Sequence, residues 1–137
     1  MMSDFKLSAG GIDDFLAYFA MTLVLLAVFV AIYIRVTPYR EISLIREGNL
    51  AASLSLSGAL LGFAVPLASA VAHSVAWWDM LLWGGAALAV QLLVYLAVRM
   101  VLPNLGRDIP AGNTAQGLFL GAASLGVGIL NAACMTY

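Results

Sequence analysis

Charged residues are scarce in this chain. Only 9% of its 137 residues are Asp, Glu, Lys or Arg, against about 25% in an ordinary soluble domain. Six basic and seven acidic residues cannot cover a globular domain in water. The formal net charge of −1 also excludes the basic field that binding to nucleic acid requires.

Cysteine and histidine are each present once, as Cys134 and His73. One cysteine forms neither an internal disulfide nor a thiolate metal cage, and a lone histidine makes no zinc site. The chain also lacks a nucleophile-plus-base arrangement, a phosphate-binding loop and a cofactor fingerprint. We therefore predict that the protein is not an enzyme and holds no cofactor or metal.

Long apolar runs are what the chain has in abundance, since 64% of its residues are hydrophobic. A membrane-spanning helix needs about 20 mostly apolar residues. Helices satisfy their own backbone hydrogen bonds in lipid, and these runs lack the alternation of a membrane barrel. We predict an all-α membrane protein with four transmembrane helices in the lipid bilayer, over residues 15–34, 50–72, 80–98 and 114–135.

The basic residues indicate how these helices are oriented. The first connection (35–49) and the third (99–113) contain every arginine of the chain, whereas the second (73–79) has neither Lys nor Arg. The N-terminal segment 1–14 has only Lys6. By the positive-inside rule, the first and third connections face the cytoplasm and both termini lie in the periplasm.

An internal repeat appears when the sequence is shifted by 64 positions. The polar matches at this shift are Arg35 over Arg99, Gly48 over Gly112 and Asn49 over Asn113. Each unit contains two spans, so the units share one orientation and form a parallel repeat. We predict two repeated helical hairpins, 15–72 and 80–137, with 1–14 and 73–79 as external segments.

The Gly-Asn pairs lie just before the second and fourth spans, on the cytoplasmic side. Asn is a good N-cap and Gly permits the preceding turn, although a helix N-terminus also offers N–H groups to an anion. Arg35 and Arg99 can reach the membrane surface by snorkelling. The alternative is an ion pair with Glu47 across the connection.

Small residues line parts of the second and fourth spans. Close approach of helices in lipid depends on small side chains, because no hydrophobic force drives their association. The predicted packing residues are Gly58, Gly62, Gly117, Gly121, Gly126 and Gly128. The pattern leaves open whether these faces meet within one chain or between chains, and we expect a homo-oligomer.

Four polar residues lie within the spans: Ser57, Gln91, Ser124 and Asn131. They either join neighbouring helices by hydrogen bonds or line a pore. No Asp, Glu, Lys or Arg lies in the core of any span. This argues against a proton relay or a strongly ion-coupled pump, both of which use ionisable groups inside the membrane.

Several strings in the sequence are similar to a known family. They are Thr37-Pro38-Tyr39, the run Leu44-Ile45-Arg46-Glu47-Gly48-Asn49, the glycines Gly58 and Gly62, Pro66-Leu67, and the ending Leu130-Asn131-Ala132-Ala133-Cys134-Met135-Thr136. Over nearly its whole length the chain resembles the YjfL-type bacterial inner-membrane proteins, catalogued as domain of unknown function number 350. The resemblance implies a small inner-membrane protein with the duplicated two-span unit. It also hints at envelope-stress partner proteins, and it implies no known activity.

Two functional hypotheses follow. The first is a homo-oligomeric passive channel or pore for small ions or solutes, lined by the four polar residues above. The second is a non-transporting scaffold or envelope-stress accessory protein. Its contacts with partner proteins would lie on the cytoplasmic connections, through Arg40, Glu41, Arg46 and Arg107.

Overall fold

The described part of the chain consists of helices and the connections between them. In the computed structural model, the backbone is described for residues 2–135 and the side chains for residues 11–135. No strand occurs between residues 2 and 135. The helices are α1 (Met2–Val36), α2 (Glu41–Arg46), α3 (Leu50–His73), α4 (Trp77–Val101), α5 (Leu105–Asp108) and α6 (Thr114–Cys134).

Four of these helices, α1, α3, α4 and α6, are long and apolar enough to cross a membrane. This confirms the predicted number and type of spans. The first helix differs at its start, because α1 runs unbroken from Met2 and its apolar part begins at Gly11. No proline interrupts residues 2–14, so a change in polarity there does not break the helix. That residues 1–14 lie outside the membrane stays a prediction, and Lys6 is outside the described side chains.

The two arginine-containing connections are partly helical, which their polar sequences did not predict. They hold the short helices α2 and α5 and meet at the same end of the molecule. There the Asn49 side chain donates hydrogen bonds of 3.1 Å to the carbonyls of Ile109 and Pro110. The connection between α3 and α4 lies at the opposite end.

The closest packing in the protein joins α3 to α6. A Cβ atom added to Gly58 would overlap the backbone of Gly121, and one added to Gly128 would overlap the backbone of Gly62. Where α3 and α6 begin, a Cβ on Gly117 would overlap the backbone of Ala51. Five of the six glycines predicted to pack therefore meet the partner helix within one chain, where the absence of side chains lets the two backbones touch. The prediction is wrong for Gly126, which faces away from α3, is exposed and has nothing within 4 Å of an added Cβ.

Helix α4 packs into the groove between α3 and α6, whereas α1 is held mainly along its C-terminal half. There Phe29 stacks on Phe63 of α3 with ring centroids 4.5 Å apart, and Tyr33 meets Tyr95 of α4 edge-on at 5.8 Å. Only 6% of the most apolar window of α1 is buried, against 33–44% for the other spans. The N-terminal half of the described part of α1 thus lies largely free of the other helices.

Substituting Gly121 by Ala should destabilise the protein by about 1–3 kcal/mol, the usual cost of overpacking. The new Cβ would overlap the Leu54 carbonyl oxygen and force α3 and α6 apart. Gly126→Ala on the same helix is the matched control, because a Cβ there meets nothing within 4 Å. Unfolding of dilute protein in detergent measures both, and equal stabilities would contradict the packing described.

Candidate functional site

Gln91 lies at the point where three helices meet. Its side chain on α4 is fully buried, and its Nε2 donates to the carbonyls of Gly62 on α3 (2.9 Å) and Ser124 on α6 (3.1 Å). A Cβ on Gly62 would lie only 3.0 Å from that nitrogen, so the glycine makes room for the amide. Gln91 therefore joins α4 to the α3–α6 pair, and Ser124 lies fully buried in the same crossing.

The two remaining polar residues of the spans lie elsewhere. Ser57 is exposed on the outer surface of α3. Asn131 is half-buried towards the end of α6, and its Nδ2 is buried without a hydrogen-bond partner. The structure thus brings Gln91 and Ser124 together and leaves Ser57 and Asn131 apart, so the four line no common route within one chain.

The two Gly-Asn pairs have the same local structure. Gly48 and Gly112 have φ angles of +86° and +90°, which favour glycine. Asn49 and Asn113 each accept a hydrogen bond from the backbone N–H three residues further on, at 2.9 and 3.2 Å. Both asparagines therefore cap their helices. The repeat is visible in these turns, whereas the repeat of whole hairpins stays a prediction.

Arg35 and Arg99 lie at the same end of the molecule as these turns, and both are exposed. Arg99 is close enough to Tyr95 to interact with its hydroxyl electrostatically. Glu47, the partner considered from sequence, is exposed as well. Snorkelling to the membrane surface accounts for the exposure of both arginines.

A second polar cluster, around Glu41, was not predicted from the sequence. Glu41 begins α2 and its side chain is only 1% exposed, yet neither carboxylate oxygen makes a hydrogen bond of ordinary geometry with residues 11–135. The same holds for the buried hydroxyls of three tyrosines: Tyr33 from α1, Tyr39 from the first connection and Tyr95 from α4. All three interact electrostatically with Glu41. We call these four residues the Glu41 cluster. Longer-range interactions of Thr37 with Glu41, Ser55 with Tyr39 and Arg99 with Tyr95 border these groups.

The surroundings of the Glu41 cluster favour its uncharged forms. Burial raises the pKa of the Glu41 carboxyl from 4.5 to about 7, and the neighbouring Thr37 hydroxyl offsets part of the rise. Burial and, next, the charge of Glu41 also raise the pKa of the Tyr39 phenol. A cavity of about 300 Å³ adjoins the cluster, lined by Thr37, Tyr39, Arg40 and Glu41 among others.

Sequence reasoning treated Glu41 as a solvated residue of a docking surface, and its burial makes that assignment wrong. The first connection has the composition of a surface loop, with Arg40, Arg46 and Glu47 all exposed. The sequence does contain one indication that Glu41 is buried. Two tyrosines, Tyr33 and Tyr39, lie on either side of the end of α1, close in sequence to Glu41, the only acidic residue of α2. The pattern alone does not bring Tyr95 to the same place.

The Glu41 cluster lacks the donor set of a typical divalent-metal site. Within residues 11–135 no group of three or more His, Cys, Asp or Glu side chains lies together. The cluster instead offers one carboxylate and three neutral hydroxyls, a set with a single negative charge.

Four apolar spans and a mainly apolar surface define an integral membrane protein. The chain belongs to the DUF350 family, whose model carries the description Domain of Unknown Function and matches residues 6–135. It is 47% identical over 123 residues to the UPF0719 inner membrane protein YjfL of Escherichia coli (strain K12), covering 90% of this chain and 93% of that protein. It is 25% identical over 134 residues to the UPF0719 transmembrane protein YshE of Bacillus subtilis (strain 168), covering 96% and 98%. No solved structure matches. The chain is therefore an inner-membrane protein of a family without an assigned function.

Replacing Gln91 by Leu should destabilise the protein by about 1 kcal/mol, the magnitude of hydrogen bonds between membrane helices. The change keeps the volume but removes both bonds from α4 to the α3–α6 pair. Gln116→Leu is the control. Gln116 lies in the first turn of α6 and donates to Asp108 at 2.7 Å, where water can replace that bond. Unfolding of both variants in detergent is the measurement. A Gln91→Leu variant as stable as the wild type would show that this amide does not hold the helices together.

Proposed function

We propose that this protein is a homo-oligomeric passive channel for small ions or solutes, with its pore between copies of the chain. One observation carries the proposal. Helix faces that are buried in one half of the chain have exposed equivalents in the other half.

The glycine contact between α3 and α6 is not symmetric under the repeat. Gly58 meets Gly121 within the chain. At the 64-residue shift, Gly58 corresponds to Ala122 and Gly121 corresponds to Ser57. Both Ala122 and Ser57 are exposed. Small residues therefore lie on an open face of α6 and on an open face of α3, each equivalent to a face already in contact.

Helices α1 and α4 differ in the same way. The inward face of α4 is buried at Met80, Gly84, Ala87 and Gln91. The equivalent positions of α1 are all exposed: Leu16, Ala20, Leu23 and Ala27. At these four positions, helix α1 therefore has no neighbour equivalent to the groove of α3 and α6 that covers α4, within the described residues.

A second copy of the chain satisfies these open faces together. If the two halves of the chain were related by a closed twofold axis, equivalent faces would be buried equally. The buried contact instead joins one face of α3 to a different face of α6, which is a head-to-tail contact. Such contacts continue from copy to copy until a ring closes. Packing the open face of α6 on the open face of α3 in the next copy would also give α1 its missing neighbour. Small side chains permit this close approach.

A ring of this kind supports a pore between copies rather than through one chain. Gln91 and Ser124 fill the crossing inside the chain, so they are engaged in packing. Ser57 is the one of the four polar residues that lies exposed beside the proposed contact. Charged side chains are absent from the cores of the spans, which favours passive passage over ion-coupled transport.

The proposed topology places both termini in the periplasm. The two connections that contain the arginines meet at one end of the molecule, through the bonds of Asn49 to Ile109 and Pro110. That end is therefore basic as a whole, which supports a cytoplasmic location. Labelling of a cysteine at position 46 from outside intact cells would contradict this orientation.

The second candidate function is a non-transporting scaffold or envelope-stress accessory protein with soluble partner proteins. It is favoured by the exposure of Arg40, Arg46 and Arg107 at the same end. Arg107 already pairs with Asp108 at 3.5 Å, which leaves Arg40 and Arg46 as the main contacts for an acidic partner. Glu41 takes no part, because it is buried.

Disulfide cross-linking tests the proposed contact directly. Two differently tagged copies, one with Ser57→Cys and one with Ala122→Cys, are expressed together with Cys134→Ser in both. Oxidation in membranes should link the two tags, because Ser57 of one copy meets Ala122 of the next. A copy with Ser57→Cys alone should not link to itself. Self-linking at that position would indicate a twofold dimer and contradict the ring.

Ion flux from liposomes tests the channel. Purified wild-type protein should dissipate a K⁺ gradient across the liposome membrane when no proton gradient is applied. Gly126→Leu, which fills the open face of α6, should abolish both the oligomer and the flux. Ala17→Leu is the matched control, since Ala17 and its repeat equivalent Leu81 are both exposed. An intact oligomer without flux would favour the scaffold. Its partner would then be sought by pull-down from membranes, with loss of capture on changing Arg40 and Arg46.

A further inference from the structure

The Glu41 cluster contains more buried polar atoms than residues 11–135 satisfy. Both oxygens of Glu41 and the hydroxyls of Tyr33, Tyr39 and Tyr95 are buried, and none makes a hydrogen bond of ordinary geometry within that range. Thr37, Ser55 and Arg99 interact with the edges of the cluster at longer range. A buried polar atom without a partner costs about 1–3 kcal/mol, and an unpaired charge costs more. Five such atoms in one place indicate a partner that residues 11–135 do not supply.

No basic side chain between residues 11 and 135 forms a hydrogen bond with Glu41. Arg40 lines the adjoining cavity and Arg99 interacts with the Tyr95 hydroxyl, but both arginines are exposed at the edge of the cluster. Helix α3 presents the uncharged Ser55, which interacts with the Tyr39 hydroxyl and donates to the Ala52 carbonyl at 3.0 Å. The groups that lie next to the Glu41 carboxylate itself are therefore mainly hydroxyls. The compensating positive charge has to be a proton or a bound cation.

We propose that the Glu41 cluster binds a monovalent metal cation, with the Glu41 carboxylate and the tyrosine hydroxyls as its oxygen ligands. Hard cations take oxygen ligands, and a hydroxyl presents lone pairs while its hydrogen points elsewhere. A single carboxylate balances a single positive charge. Calcium sites use six to eight oxygens, usually with several carboxylates, and magnesium demands a near-octahedral set. The cluster offers neither.

The adjoining cavity gives the cation a path to the site. It is lined by Thr37, Tyr39, Arg40 and Glu41 and lies at the end of the molecule that we assign to the cytoplasm. The inference names the solute class of the proposed channel and in that sense rests on the proposed function. Binding and flux are measured separately, however, so either can fail alone.

Thermal unfolding of the purified full-length protein in detergent tests the site, with tryptophan fluorescence as the readout. N-methylglucamine chloride holds the ionic strength constant while K⁺ or Na⁺ replaces it at pH 8. The wild type should show a saturable rise in Tm of a few degrees, because a ligand that binds only the folded state stabilises it. Glu41→Gln should lose the response. Glu47→Gln, an exposed glutamate of the same connection, should keep it.

The pH dependence has a defined sign. Because the folded-state pKa of Glu41 is raised to about 7, the proton competes with the cation below that pH. Apparent cation affinity should therefore fall by up to about tenfold for each pH unit below 7. Without metal cations, the wild type should lose stability as pH rises from 4.5 to about 7, since over that range the folded state holds a proton that the unfolded state has lost. Glu41→Gln should not show this loss.

A second variant covers the case in which Glu41→Gln does not fold. Tyr39→Phe removes one hydroxyl and keeps the ring, so it should weaken the cation response severalfold. Tyr18→Phe, in the N-terminal half of α1 and far from the Glu41 cluster, should leave the cation response unchanged. Stabilisation that depends on pH but not on K⁺ or Na⁺ would overturn the cation site in favour of a protonated carboxyl. Stabilisation only by Ca²⁺, Mg²⁺ or tetramethylammonium would overturn the assignment to a monovalent metal ion. Cation binding without flux would overturn the channel and leave the site in place.

Discussion

The structure depends on the backbone contact between α3 and α6. Gly58, Gly62, Gly121 and Gly128 remove every side chain that would hold the two helices apart. In lipid this contact has to rest on van der Waals packing, because burying apolar surface away from lipid gains little. Once α3 and α6 touch, they form the groove that α4 fills, and Gln91 has two carbonyls within reach. The position of α1 follows last, from the stacking of Phe29 on Phe63.

Much of this fold could be predicted from local sequence. A run of about 20 apolar residues specifies a spanning helix on its own. Glycine spacing indicated the contact faces, and the Gly-Asn pairs indicated where α3 and α6 begin. These signals are local, so a linear pattern carries them. The pairing of α3 with α6, across the two predicted hairpins, is a relation between distant segments, and the small faces alone did not determine it.

The Glu41 cluster shows where such reasoning ends. Glu41 looks like one charge among several in a polar connection. Its burial arises because α2 packs back on α3, close to Tyr95, which lies more than 50 residues further along the chain in α4. By contrast, Gln91 stood out because an amide is rare inside an apolar span, and its role between helices could be anticipated. Polarity is informative where the surroundings are apolar and ambiguous at the membrane surface.

The order of the helices in the chain has a consequence for synthesis. Helix α3 is complete long before α6 emerges, so the glycine face of α3 enters the membrane without the helix that finally covers it. The Asn49 amide likewise waits for the carbonyls of Ile109 and Pro110. The tightest contact in the protein is therefore the last that one chain can make. Until then, the glycine face of α3 is open to the α6 of a neighbouring chain, so pairing within one chain competes with pairing between chains during synthesis.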